Sequence, residues 1–104
     1  MLFRSEVNEG DEIAKALGDK KVAILQNHGI LTTGPSVDIA LWFYMSMERC
    51  CQAQLMAEAA GEPVVIPHET AIKTREFIAN DIAAWASYQP AFDKIVKMQP
   101  DLLD

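Results

Sequence analysis

Few residues in this sequence are equipped to bind metal or move protons: two histidines, two cysteines and 15 acidic side chains. His28 has the most telling surroundings, "ILQNHGILTTG" from Ile24 to Gly34, where it stands between Asn27 and Gly29 at the junction of two short apolar runs. Neutral imidazole is a common metal ligand, and a histidine held on a tight turn would lose little freedom on binding. Catalytic zinc takes about three protein ligands, however, and no HxH or ExxH companion lies near His28 in the sequence. On spacing alone, a turn histidine bonded to backbone is the better supported of the two readings. His68 and Glu69 begin an HExxH pattern, but the fifth position is Ile72, so the second histidine is missing. Glu69 is expected instead near the start of a helix.

The remaining groups fit structural roles. Cys50 and Cys51 are neighbours in a helical stretch, where their side chains diverge, so reduced thiols are expected. No CxxC occurs. Asp81, Asp93, Asp101 and Asp104 read as caps and solvated termini, and Trp42, Phe43, Trp85 and Phe92 as core or subunit contacts. No GxSxG, P-loop or dinucleotide glycine fingerprint is present.

The elements that must position His28 follow from local pattern. Asn8, Glu9 and Asp11 precede an apolar face of Ile13, Ala14, Ala16 and Leu17, ended by Gly18: a short helix with Asn8 as N-cap. "KKVAILQ" and "ILTTG" form a β-hairpin, with Asn27 and Gly29 as turn residues that tolerate positive φ. A long helix is expected at about 36–60, capped by Ser36, with Asp38 in its first turn and Gly61 and Pro63 past its end. At 1.5 Å per residue it spans roughly 36 Å. From Ile39 to Met47 it is apolar on nearly every side, whereas a helix on one sheet of a monomer needs a single stripe. Ile39, Trp42, Phe43 and Met47 are therefore expected at an oligomer contact. "PVVIP" reads as an extended link, "HETAIKTREFIANDIAAWASYQ" as one further helix, and "PAFDKIVKMQPDLLD" as a last short helix starting at Pro90.

Only two strands emerge, and an isolated hairpin is marginal in water. Either the helices wrap it into a small α+β unit, or it joins a sheet completed by another chain. The 104 residues form a single domain with a modest core. A net charge of −6, with lysines scattered, argues against nucleic-acid or anionic-membrane binding. With no membrane-length apolar run and no signal-peptide core in "MLFRSEVNEG", a soluble cytoplasmic protein is expected.

The stretch "ALGDKKVAILQNHGILTTGPSVDIALWFYMSMERCCQAQLMAEAAGEP", with "ETA" and "QPAFDKIVKMQPDLLD" beyond it, resembles the C-terminal half of the class II aldolase/adducin family. The resemblance rests on the NHG turn, the glycine after it and a helix similar to "ALERxCQxQ", and it covers nearly the whole chain. It implies an α/β/α sandwich on a mainly antiparallel sheet, here a partial domain over residues 1–104 with the hairpin as its share of the sheet. In the family's enzymes a divalent metal, usually zinc, is held by two histidines of an HxH motif in the first half and one from the NHG turn. His28 matches the last of these and is the only ligand that carries over. The metal acts there as a Lewis acid on substrate oxygens during aldol cleavage.

Related members dehydrate, epimerise or decarboxylate, and adducin is cytoskeletal, so the resemblance alone does not fix the reaction. The HxH pair, the catalytic acid/base and the phosphate-binding loops have no counterpart in this sequence. Tyr88, in "WASYQP", invites comparison with the proton-donating tyrosine of some family aldolases, a role left open, and is read first as a packing residue. Three readings stand: an aldehyde-lyase piece, inactive alone, completed by an N-terminal half or by homo-oligomerisation; a non-enzymatic oligomerising remnant; and a small α+β interaction module.

Overall fold

The computed structural model describes residues 7–104. In chain order it contains α1 (Val7–Leu17), the strands β1 (Val22–Leu25) and β2 (Gly29–Thr32), α2 (Val37–Ala60), α3 (His68–Ile78), α4 (Asp81–Met98) and a final 3₁₀ turn (Pro100–Leu103). The strands pair antiparallel, from Val22 opposite Thr32 to Leu25 opposite Gly29, and the Thr33 amide donates to the Lys21 carbonyl at 2.9 Å to close the base. The architecture is thus mostly helical around one two-stranded antiparallel sheet.

α2 organises the rest. Ile39 and Phe43, four residues apart on one face, are buried with Ala84 of α4, and Val22, Trp42 and Ala79 pack around them. Ala84 is fully buried, and its methyl lets α2 and α4 approach closely. β2 is tied to α2 by the Thr32 hydroxyl, which donates to the Ala40 carbonyl at 2.9 Å. Gly34 makes the strand-to-helix corner possible: a Cβ there would meet Ile39 Cγ2 at 3.0 Å and the Ala40 nitrogen at 3.1 Å.

Three local expectations are corrected. α1 begins at Val7, so Asn8 lies inside the helix and not at its cap. Ser36 has the extended backbone of an N-cap, but its side chain does not cap; the carboxylate of Asp38 accepts from the Ile39 amide instead, at 3.2 Å. The largest correction concerns residues 68–98, where the break falls at Ala79–Asn80 and not at Pro90. Asn80 serves both helices: its Nδ2 donates to the Phe77 carbonyl at 2.8 Å, ending α3, and its Oδ1 accepts from the Ala83 amide at 2.9 Å, starting α4. α4 then runs through Pro90, which removes one backbone donor and leaves the Ala86 carbonyl without its usual partner.

The core is small for the chain. The exposed surface is 8832 Å², where a folded monomer of 11.5 kDa would show ~5,800 Å². The radius of gyration is 16.7 Å, against about 13 Å for a compact domain of this length. Val64, Phe77 and Ile82 are 96%, 80% and 81% exposed. Among the described residues no helix is long and apolar enough to cross a membrane.

Filling the α2–α4 contact should be felt at once. Ala84→Leu is expected to cost about 1–3 kcal/mol through overpacking, whereas Ala86→Leu, at an exposed position of the same helix, should stay within about 0.5 kcal/mol. Urea denaturation of the two variants checks the contrast.

Candidate functional site

The hairpin tip holds His28 in a defined place. The His28 amide donates to the Leu25 carbonyl at 3.1 Å, closing a four-residue turn whose third residue, Asn27, has φ 62°. Positive φ at that position is the mark of a type II turn, and asparagine tolerates it better than most side chains. Gly29 comes next but one with φ 133°, a conformation that disfavours any Cβ. Asn27 and Gly29 therefore do what their types suggested, and the exposed His28 sits between them.

Behind the tip, the hairpin base is fixed by a residue that the sequence did not single out for contacts. Lys21 Nζ donates to the Ala79 carbonyl at 2.9 Å and to Asp81 Oδ1 at 3.1 Å, and lies 4.7 Å from the centre of the Phe43 ring. One ammonium thus connects the foot of β1, the α3–α4 junction and α2. Its ion pair with Asp81 is well exposed to solvent and contributes at most about 1 kcal/mol. Its partners lie 58 and 60 residues away, so no local pattern announces them.

The other candidates are dispersed. His68 opens α3 and is exposed, while Glu69 pairs with Lys73 at 3.0 Å across one helical turn. Cys50 is exposed and Cys51 half-buried, both as free thiols. Tyr88 is half-buried, its ring centre 6.5 Å from that of Phe92. Of the four α2 residues expected at a subunit contact, Ile39 and Phe43 are buried within the chain, and Trp42 and Met47 are half-buried. Leu41 and Tyr44, one turn apart from each other on α2, are exposed. Among the described residues no group of three or more His, Cys, Asp or Glu side chains could hold a metal ion. His28 can supply one donor, but the described residues do not by themselves make a metal site.

A hairpin with this turn, backed by a long helix that carries the core, has a close structural counterpart. The fold matches that of an L-fuculose 1-phosphate aldolase from Glaciozyma antarctica PI12, with a TM-score of 0.84 and 37% identity, over 88% of this chain and 36% of that one. The fold is therefore that of a class II aldolase. Residues 3–55 match the family model described as the Class II Aldolase and Adducin N-terminal domain, and the chain belongs to that family. It is also similar to the decarboxylase NovR of Streptomyces niveus, 39% identical over 91% of this chain and 35% of that protein. A 4-hydroxy-3-prenylphenylpyruvate oxygenase/4-hydroxy-3-prenylbenzoate synthase of Streptomyces roseochromogenus subsp. oscitans is 38% identical over 91% of this chain and 34% of its own length. The chain spans about a third of the length of these relatives.

Two substitutions separate the backbone demand at the turn from mere crowding. Gly29→Ala should destabilise by about 1–3 kcal/mol because of its φ, although no atom lies within 4 Å of the added methyl. Gly10→Ala, inside α1 and equally uncrowded, should stabilise by about 0.5–1 kcal/mol. Thermal unfolding of both variants provides the comparison.

Asp38 confers a pH dependence. The Ser36 hydroxyl, then the Gln89 amide and the local backbone amides, bond its carboxylate and hold its pKa below the ordinary 3.8. A lowered folded-state value means that Asp38 contributes stability above pH 3.8, and that this contribution is lost as pH falls through the lower value. In acid denaturation followed by circular dichroism, Asp38→Asn should flatten the fall in stability below pH 3.8.

Proposed function

We propose that this chain is the C-terminal portion of a class II aldolase-like metalloenzyme, an aldehyde-lyase acting on a small sugar-type or hydroxycarbonyl substrate, and that it is inactive by itself. The observation that carries the reading is His28, held by Asn27 and Gly29 at the tip of a hairpin whose fold matches an L-fuculose 1-phosphate aldolase. In this role His28 is one ligand of a divalent metal, zinc by the family's preference, and the other ligands come from a complementing N-terminal portion or from another copy of the chain. The large uncovered surface supports such completion. It also leaves room for Trp42 and Met47, at the margin of the core, to meet a second subunit, with Leu41 and Tyr44 beside them.

A second reading has its own support. With no cluster of three metal-ligating side chains among the described residues, the chain could serve as a non-enzymatic oligomerising remnant. The decarboxylase and oxygenase names among its relatives further leave the reaction open within the family.

Isothermal titration of Zn²⁺ distinguishes the two. The chain alone should bind zinc weakly and without fixed stoichiometry. Mixed with a polypeptide supplying the N-terminal portion of the family fold, it should bind one equivalent, at least tenfold more weakly after His28→Ala. Tight zinc binding to the chain alone that survives His28→Ala would contradict the enzyme reading, and failure of any such polypeptide to restore binding would favour the remnant.

A further inference from the structure

Between the first turn of α2 and the middle of α4 lies a cavity of about 260 Å³ lined by Val37, Asp38, Tyr88, Gln89 and Phe92. None of these residues belongs to the hairpin, so the cavity is independent of the role proposed for His28.

Its chemistry is one-sided. Asp38 is half-buried, and among the described residues its carboxylate has no lysine or arginine at ion-pair distance. The partial positive charge at the start of α2 offsets about half a unit, and a net negative charge remains. Gln89 Nε2 donates to Asp38 Oδ2 at 3.1 Å and to the Trp85 carbonyl at 3.1 Å. Both amide protons are thereby used, leaving Gln89 with its oxygen, an acceptor, for any ligand. Tyr88 and Phe92 supply aromatic walls, their ring centres 6.5 Å apart and their planes inclined at 41°.

An anion would be repelled here, and an uncharged apolar ligand would strip water from the carboxylate without replacing it. A cation satisfies the charge. Among cations, a guanidinium is flat, carries five donors, is weakly hydrated and stacks on aromatic faces, whereas an ammonium is compact and strongly hydrated. We propose that this cavity binds a guanidinium group, with the Asp38 carboxylate and the Gln89 oxygen accepting its N–H donors and the Tyr88 ring offering one aromatic face to its plane. The group could be carried by an arginine of an associating polypeptide or by a free guanidino compound.

The test titrates N-acetylarginine amide and N-acetyllysine amide into the 104-residue chain, followed by ¹H–¹⁵N spectra. Saturable shifts confined to residues 36–39 and 88–92 are expected, with the lysine probe at least tenfold weaker and Asp38→Asn at least tenfold weaker for arginine. Tyr88→Leu gives the same weakening independently should Asp38→Asn fail to fold. Sedimentation of Asp38→Asn, alone and with a polypeptide supplying the N-terminal portion of the family fold, distinguishes the sources: weakened association points to a partner's arginine, and unchanged association to a free compound. No saturable response, equal binding of the two probes, or undiminished binding in the folded variants would overturn the proposal.

Discussion

The contact of Ile39 and Phe43 with Ala84 is the point through which every other element is positioned. α2 can lie close to α4 because one partner is only a methyl, and the hairpin can lie against α2 because Val22 reaches the same cluster. Gly34 permits the tight corner between β2 and α2, and Thr32 secures it. Lys21 then couples the hairpin base to the α3–α4 junction with a single ammonium. The placement of His28 is thus a consequence of helix packing transmitted along two four-residue strands.

That same contact is too small to satisfy the whole chain. Among the described residues only Ile39, Phe43 and Ala84 are buried, while Val64, Val65, Phe77 and Ile82 remain largely in water. Apolar burial is the main favourable term in folding, and a chain that leaves this much apolar surface uncovered gains correspondingly little from it. The relatives are more than twice as long, and the uncovered faces support the proposal that further polypeptide covers them. The proposed completion by further polypeptide would account both for the surface excess and for the lone metal-ligand candidate among the described residues.

Much of this was legible in the sequence because it rests on short-range physics. The turn at Asn27–Gly29 follows from which residues tolerate positive φ, and the long helix from glycine, proline and the apolar run between them. The family was legible from the NHG turn and the helix after it, and the fold match agrees. What was hidden depended on partners distant in the chain or on packing. Asn80 looked like one polar residue in a continuous helix, yet its amide bonds both ways and divides α3 from α4. Pro90 was read as the first residue of a last short helix, whereas α4 runs through it. Lys21 and Asp38 each find partners more than 50 residues away. The all-round apolarity of Ile39–Met47 was read as a subunit contact, but the pattern could not show that Ile39 and Phe43 would be buried inside the chain.

The central claim is that this chain is an incomplete unit presenting one metal ligand. Native mass spectrometry with metal analysis of the purified 104 residues, alone and with a polypeptide supplying the N-terminal portion of the family fold, tests it most directly. An incomplete unit should be metal-free alone and should gain both a partner and one metal ion on completion. A stable monomer carrying stoichiometric zinc without any partner would contradict it.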